Sequence, residues 1–163
     1  MDRTRTYSWP DPQVLAESST TAAGLDYLRL LASGEIGRTP MMVTLEYDFV
    51  RVESGLVAFE CTPGEYLYNP IGVVHGGLAA TMLDSAAACA VQTLLPAGTA
   101  YTSVDLTVHF LRPITTDVGT VRATGAVLNK GRRTALAQAE VRDRKDRLIA
   151  HATSSCMIFP AGE

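Results

Sequence analysis

An α+β fold, with an antiparallel sheet wrapped around one long helix, is predicted by three features of the sequence. Residues 76–94 form one long segment that is small or apolar around its whole circumference. A helix of that kind is enclosed by sheet or by a neighbouring chain. Strand-like runs joined by short turns follow it, which makes an antiparallel meander. A hairpin precedes it.

The elements are read in order along the chain. Residues 1–20 are polar and aperiodic, and read as an arm. Residues 21–163 then form the single domain. Leu25, Tyr27, Leu28, Leu30 and Leu31 fall at helical spacing before Gly34, which predicts an extra N-terminal helix. Pro40 opens the next unit. Residues 42–52 and 56–62 are rich in β-branched and aromatic side chains, and Glu53-Ser54-Gly55 separates them as a hairpin turn. Pro63-Gly64 breaks the sheet before an aromatic-lined loop. Pro96-Ala97-Gly98 ends the long helix. Residues 102–111 alternate, with Val104, Leu106, Val108 and Phe110 on one face. Strands at 118–128, 134–142 and 148–159 complete the sheet.

Bulk properties exclude several function classes. A chain of 163 residues, 47% hydrophobic and 19% charged, can build one sizeable core and is not disordered. A net charge of −3 gives no reason to expect nucleic acid or an anionic membrane as partner. No run reaches the ~18–20 apolar residues of a membrane span, and the N-terminus lacks the basic-then-apolar pattern of a signal peptide. The expected compartment is the cytoplasm. Cys61, Cys89 and Cys156 are far apart in apolar surroundings, which suits reduced core thiols rather than disulfides or a zinc site.

The chemistry concentrates in residues 69–84. No G-x-S-x-G elbow, H-E-x-x-H or phosphate-binding loop is present. What stands out is Asn69-Pro70-Ile71-Gly72-Val73-Val74-His75-Gly76-Gly77, followed by Asp84 inside the apolar helix. The start of a helix offers unpaired N–H groups and partial positive charge. Gly76 and Gly77 let a ligand oxygen approach those donors, as a developing oxyanion requires. The same glycines serve equally well as a tight loop-to-helix turn. A carboxylate among Met82, Leu83, Ala86 and Ala87 is costly unless paired or used, and burial would make it a base or nucleophile. The plainer alternative is a carboxylate bonded within the core. His75 and Asn69, each taken alone, read as turn residues.

Spacing adds a constraint. Gly76 and Asp84 are eight residues apart, about 12 Å along a continuous helix. An oxyanion donor and the group that activates water act on atoms only ~3–4 Å apart. If both serve one carbonyl, they come from two chains. A second constellation, Lys130-Gly131-Arg132-Arg133 with Arg112, could receive a polyanionic ligand tail, or could be a solvated turn.

The run from Asn69 to Asp84 resembles the PaaI-like branch of the hotdog-fold acyl-CoA thioesterases. Ser103-Val104-Asp105, the Gly131-Arg132-Arg133 turn and the leading helix with its hairpin are also similar, so the likeness spans roughly residues 22–159. The resemblance implies the hotdog fold, paired across a homodimer and assembled into tetramers as dimers of dimers. It implies that Gly76 N–H polarises the thioester carbonyl and that Asp84 of the other chain acts as general base or nucleophile. His75 and Asn69 would orient thioester and water, Gly77 would complete the helix start, and Ser103 (or Thr102) would place the water. Arg132 and Arg133 would meet the phosphates of coenzyme A, which is part of the substrate. No separate cofactor and no metal are expected. The expected reaction is hydrolysis of an aromatic or short- to medium-chain acyl-CoA. The competing readings are a hotdog enzyme acting on carrier-protein thioesters or as a hydratase-dehydratase, and a non-catalytic acyl-CoA-binding protein.

Overall fold

The computed structural model describes residues 2–162. Met1 and Glu163, the outer ends of the expected arm and domain, lie outside the described residues. Local signals account for the first helices. Asp11 caps α1 (Pro12–Thr21) by accepting from Gln13 N–H, with Pro12 in the first turn, where its missing N–H costs nothing. α2 (Gly24–Ser33) ends at Gly34, whose φ of 81° is the left-handed cap that glycine takes without strain. Thr39 caps α3 (Pro40–Leu45) through Met42 N–H. Residues 42–45, expected to open a strand, therefore belong to a helix: the Thr39 cap and Pro40 outweigh the strand preference of Val43 and Thr44. The polar arm is tied down as well as helical from Pro12. Arg5 donates to the Thr44 carbonyl at 2.6 Å, pairs with Glu46 at 3.2 Å and lies over the Tyr66 ring at 4.0 Å.

The hairpin is β1 (Tyr47–Glu53) and β2 (Leu56–Cys61). α4 (Gly76–Gln92) runs unbroken. After it come β3 (Thr99–Ser103), β4 (Thr107–Phe110), β5 (Val121–Lys130), β6 (Thr134–Asp143) and β7 (Leu148–Pro160). All pairings are antiparallel, in the order β1-β2-β5-β6-β7-β3, with β4 also on β7. Residues 102–111, expected as one strand, are thus split in two along the same edge of β7. At the break Asp105 accepts from Ser155 N–H at 3.0 Å, and its carbonyl accepts from the Ser154 hydroxyl at 2.8 Å. Side-chain bonds there replace ladder bonds.

The sheet curls around α4, whose Leu78, Met82, Leu83, Ala86, Ala87 and Val91 are buried against Val57, Phe59, Val121, Ala123 and Ala137. Small residues let helix and sheet approach closely. A Cβ placed on Gly125 of β5 would lie 2.2 Å from the Ala86 backbone. α2 meets the far end of α4 in the same way, since a Cβ on Gly24 would fall 1.9 Å from the Gln92 carbonyl oxygen. Among the described residues no helix is long and apolar enough to cross a membrane.

Candidate active site

The loop leading into α4 is shaped by its own polar groups. Asn69 Oδ1 accepts from Ile71 N–H (3.1 Å) and Val73 N–H (3.3 Å), the Asx turn that its position before Pro70 favours. His75 N–H donates to the Leu67 carbonyl at 2.8 Å. Its imidazole Nδ1 accepts from Gly77 N–H at 2.8 Å and caps the helix. An accepting Nδ1 puts the ring proton on Nε2, facing outward as a donor. Gly76 N–H, at the first helical position, has no partner among the described residues. It is the free donor at the positive end of the helix. Gly77 N–H, grouped with it from the sequence, is already committed to His75.

A cavity of about 340 Å³ opens beside Gly76, lined by Asn69, Val73, Val74, Ala79, Phe110, Arg112, Ile114 and Ile149 among others. Its walls are apolar, with Asn69 and Arg112 as the polar side chains. Phe110 is the site residue that sequence reasoning missed. Alternation put it on one face with Val104, Leu106 and Val108, but its contact with the helix start arises only when the edge of β7 meets α4.

Asp84 sits two turns down the same helix. It accepts from the Ser103 hydroxyl at 2.9 Å, which brings together two residues singled out from the sequence. Thr102 is exposed and points away, bonding only toward the Ser103 carbonyl. Asp84 is half-buried rather than enclosed, because the apolar faces of α4 turn toward the sheet on either side of it. Its titratable neighbours are held neutral. Desolvation, with the charge of Asp84 adding to it, pushes the Cys89 thiol up to about 12, and the Cys156 thiol and Tyr47 phenol also rise, with burial the largest cause. A thiol so shifted does not form the thiolate that nucleophilic attack requires.

Because α4 is unbroken between Gly76 and Asp84, the ~12 Å axial separation expected from sequence holds within one chain. The arginines divide as well. The Arg133 carbonyl accepts from Ile158 N–H, whereas Arg112 N–H donates to the Ile149 carbonyl. Nine residues of β7 separate these points, roughly 30 Å of extended strand. The expected grouping of Arg112 with Lys130–Arg133 therefore does not occur within one chain. Arg112 lies with Gly76, while Arg132 and Arg133 are exposed on the β5–β6 turn, toward the end of the sheet that carries Ser103. No group of three His, Cys, Asp or Glu side chains among the described residues could hold a metal ion. A larger hollow, about 800 Å³, lies on the outer face of the sheet. There Arg122 pairs with Glu60 and Arg142 with Glu140, and Arg144 donates to the Thr120 hydroxyl.

The chain is similar to known proteins both in sequence and in fold. The thioesterase superfamily matches residues 71–150. A curated protein of Halobacterium salinarum, named as an esterase, is 32% identical over 103 residues, 60% of this chain. The match spans 64% of that relative's length. Among solved structures, a thioesterase-named, phenylacetic acid degradation-related protein of Ralstonia eutropha is 28% identical with a TM-score of 0.71, covering 80% of this chain and 98% of its own. The PaaI protein of Escherichia coli shares the fold at 20% identity and a TM-score of 0.71, covering 89% and 96%. So does a Streptococcus mutans protein solved with acetyl-CoA bound, at 21% identity and a TM-score of 0.64, covering 70% and 89%. With its antiparallel sheet curled around α4, the chain has the hotdog fold of the PaaI protein, and its residues 71–150 are similar to the thioesterase superfamily.

Proposed function

We propose that this chain hydrolyses acyl-CoA thioesters to the free acid and CoA, at a site completed by two copies of the chain. The observation that carries the reading is the division of labour along α4: a Gly76 N–H at its start with no partner among the described residues, and a Ser103-held Asp84 too far away to serve the same carbonyl. The names of the relatives and the acetyl-CoA in the Streptococcus mutans protein support a thioester substrate.

The thioester oxygen receives Gly76 N–H, with His75 Nε2–H and the Asn69 carboxamide orienting the substrate. Asp84 of the second copy, held by its own Ser103, takes a proton from water as the water oxygen adds to the carbonyl carbon. The C–S bond then breaks, and the departing CoA sulfur takes up the proton. Direct attack by the Asp84 carboxylate, followed by hydrolysis of the anhydride, gives the same products. Neither route needs a metal or a redox cofactor. Arg132 and Arg133 would meet the CoA phosphates, and a homodimer, further paired into a tetramer, would supply the second copy. Asp84→Asn and Asp84→Ala should lower kcat on an acyl-CoA panel by ~10²–10⁴-fold, the usual worth of a general base, with the oligomer unchanged. Thiol release at wild-type rates from either variant would sink the mechanism. Crotonyl-CoA hydration, assayed beside hydrolysis, separates this chemistry from that of a hydratase.

A further inference from the structure

Taking the proposed thioesterase reaction as its basis, we infer that Arg5, in the N-terminal arm, is a positioning residue for the site. It clamps the turn at residues 65–67, and the Leu67 carbonyl of that turn holds His75 at the start of α4. Three observations converge on this residue. First, between Asp2 and Val14 Arg5 alone is not exposed. An arginine tucked in from an open arm gives up rotamer freedom, so its contacts must offset that cost. Second, those contacts are specific. Its guanidinium donates to the Thr44 and Val43 carbonyls at 2.6 and 3.3 Å, in the last turn of α3, where carbonyls lack helical partners. It pairs with Glu46 at 3.2 Å and lies over the Tyr66 ring at 4.0 Å, and Glu46 in turn accepts from the Tyr66 hydroxyl. Third, the clamped turn reaches the site through its backbone. The residue after Tyr66 is Leu67, whose carbonyl accepts from His75 N–H at 2.8 Å.

The turn has little to hold it by itself. Glu65–Leu67 is a single 3-10 turn, in which Leu67 N–H donates to the Gly64 carbonyl at 3.1 Å and Tyr68 N–H to the Glu65 carbonyl at 3.0 Å. Hydrogen-bond geometry in such turns is poorer than in an α-helix. Fixing Tyr66 from outside limits how far Leu67 can move. His75 N–H is then fixed, its Nδ1 meets Gly77 N–H at 2.8 Å, and Gly76 N–H between them keeps one direction. The same turn leads through Tyr68 to Asn69. Arg5 thus acts through Tyr66 and Leu67 rather than on the substrate. Arg3 also meets this turn, through Glu65, but that pair is exposed on both sides and contributes little.

The test uses the full-length protein with Arg5→Ala, Arg5→Lys, Tyr66→Ala, the double variant of Arg5→Ala with Tyr66→Ala, and Arg3→Ala as control. Arg5→Ala should lower kcat on an acyl-CoA about tenfold, the worth of a partly desolvated cation–π contact, with KM nearly unchanged. Arg5→Lys keeps the charge but loses the planar fork, and should recover only part of the loss. Tyr66→Ala should match Arg5→Ala, and the double variant should be no slower than the slower single one, because both changes cut the same link. Arg3→Ala should stay near wild type. Losses that multiply in the double variant, or a wild-type kcat in Arg5→Ala, would overturn the inference. Amide hydrogen exchange gives a readout that needs no turnover. In Arg5→Ala the His75 and Gly77 amides should exchange about tenfold faster, with those in the middle of α4 unchanged. That pattern would uphold the clamp even if the wild-type protein hydrolysed no acyl-CoA. Unchanged exchange at His75, or equal acceleration along the whole of α4, would overturn it whether or not hydrolysis is observed.

Discussion

A complementation experiment tests the two-chain site directly. The two half-sites are disabled in different chains: Asp84→Asn removes the base, and Gly76→Pro removes the oxyanion donor. The second change suits the local structure, since proline is accepted at the first helical position. His75, with φ −61° and ψ 134°, already has the extended conformation that a residue before proline takes. Losing one oxyanion donor costs ~10²–10³ in kcat, so each parent should be nearly inactive on acyl-CoA. In a random mixture of the two, half the dimers carry one chain of each kind. Each such dimer has one site with Gly76 and Asp84 both intact and one with neither, so the mixture should recover about a quarter of wild-type activity, given a two-fold symmetric dimer. The assay is thiol release after co-refolding or co-expression. Gly76→Ala is the control, because it adds the same Cβ against Phe110 while keeping the N–H. Mixtures that return only the average of the two parents would refute the argument, as would a fully active monomer.

Three other outcomes follow from the geometry. Ser103→Ala deletes the hydroxyl that donates to Asp84 and should lower kcat by roughly tenfold or more, the worth of a hydrogen bond to a charged group. Thr102→Ala should leave kcat near wild type, and the reverse ranking would mean that the wrong hydroxyl was assigned. Gly125→Ala places a Cβ 2.2 Å from the backbone of Ala86. Overpacking of this kind should cost about 3 kcal/mol, or some 6–12 °C in melting temperature, while an unchanged melting temperature would show that α4 can lift freely. Burial, with the charge of Glu46 adding to it, raises the Cys61 thiol from 9.0 to about 11. Between those values the unfolded chain has lost a proton that the folded chain keeps. Stability is therefore full below pH 9 and falls as pH rises toward 11, at up to ~1.4 kcal/mol per pH unit. Urea midpoints should show this decline, and Cys61→Ala should flatten its slope; a slope unchanged in that variant would rule the thiol out as its source.

Much of this was legible in the sequence. The unbroken apolar run from Gly76 gave α4 within two residues of its observed end, because a segment apolar all round has few other places to go. The turn at Ser54-Gly55 gave the hairpin, whereas the strand expected over 118–128 runs over Val121–Lys130, carried past Asn129 by an irregularity in its pairing with β6. Asp84 stood out because a carboxylate among alanines needs a partner, and Ser103 proved to be that partner. What escaped depended on competition between signals or on long-range register. Residues 42–45 carry strand-like side chains, yet Thr39 and Pro40 start a helix. Asp11-Pro12 carries the same kind of start signal within a stretch that is otherwise polar and aperiodic. The break at Asp105 requires Ser154 and Ser155, some 50 positions away. The separation of Arg112 from Arg133 requires the register of β7, which no local pattern encodes.

The seating of α4 against Gly125 also bears on how this chain can change over generations. Its surface turns can absorb an extra residue with little effect on the core. The stretch between Gly76 and Asp84 cannot. A single insertion there would swing Asp84 by about 100° around the helix axis, away from the Ser103 hydroxyl and toward the sheet. It would also move every alanine that faces β5 out of place. A changed side chain along this helix disturbs its own contacts, whereas a changed number of residues turns every later side chain to a new direction.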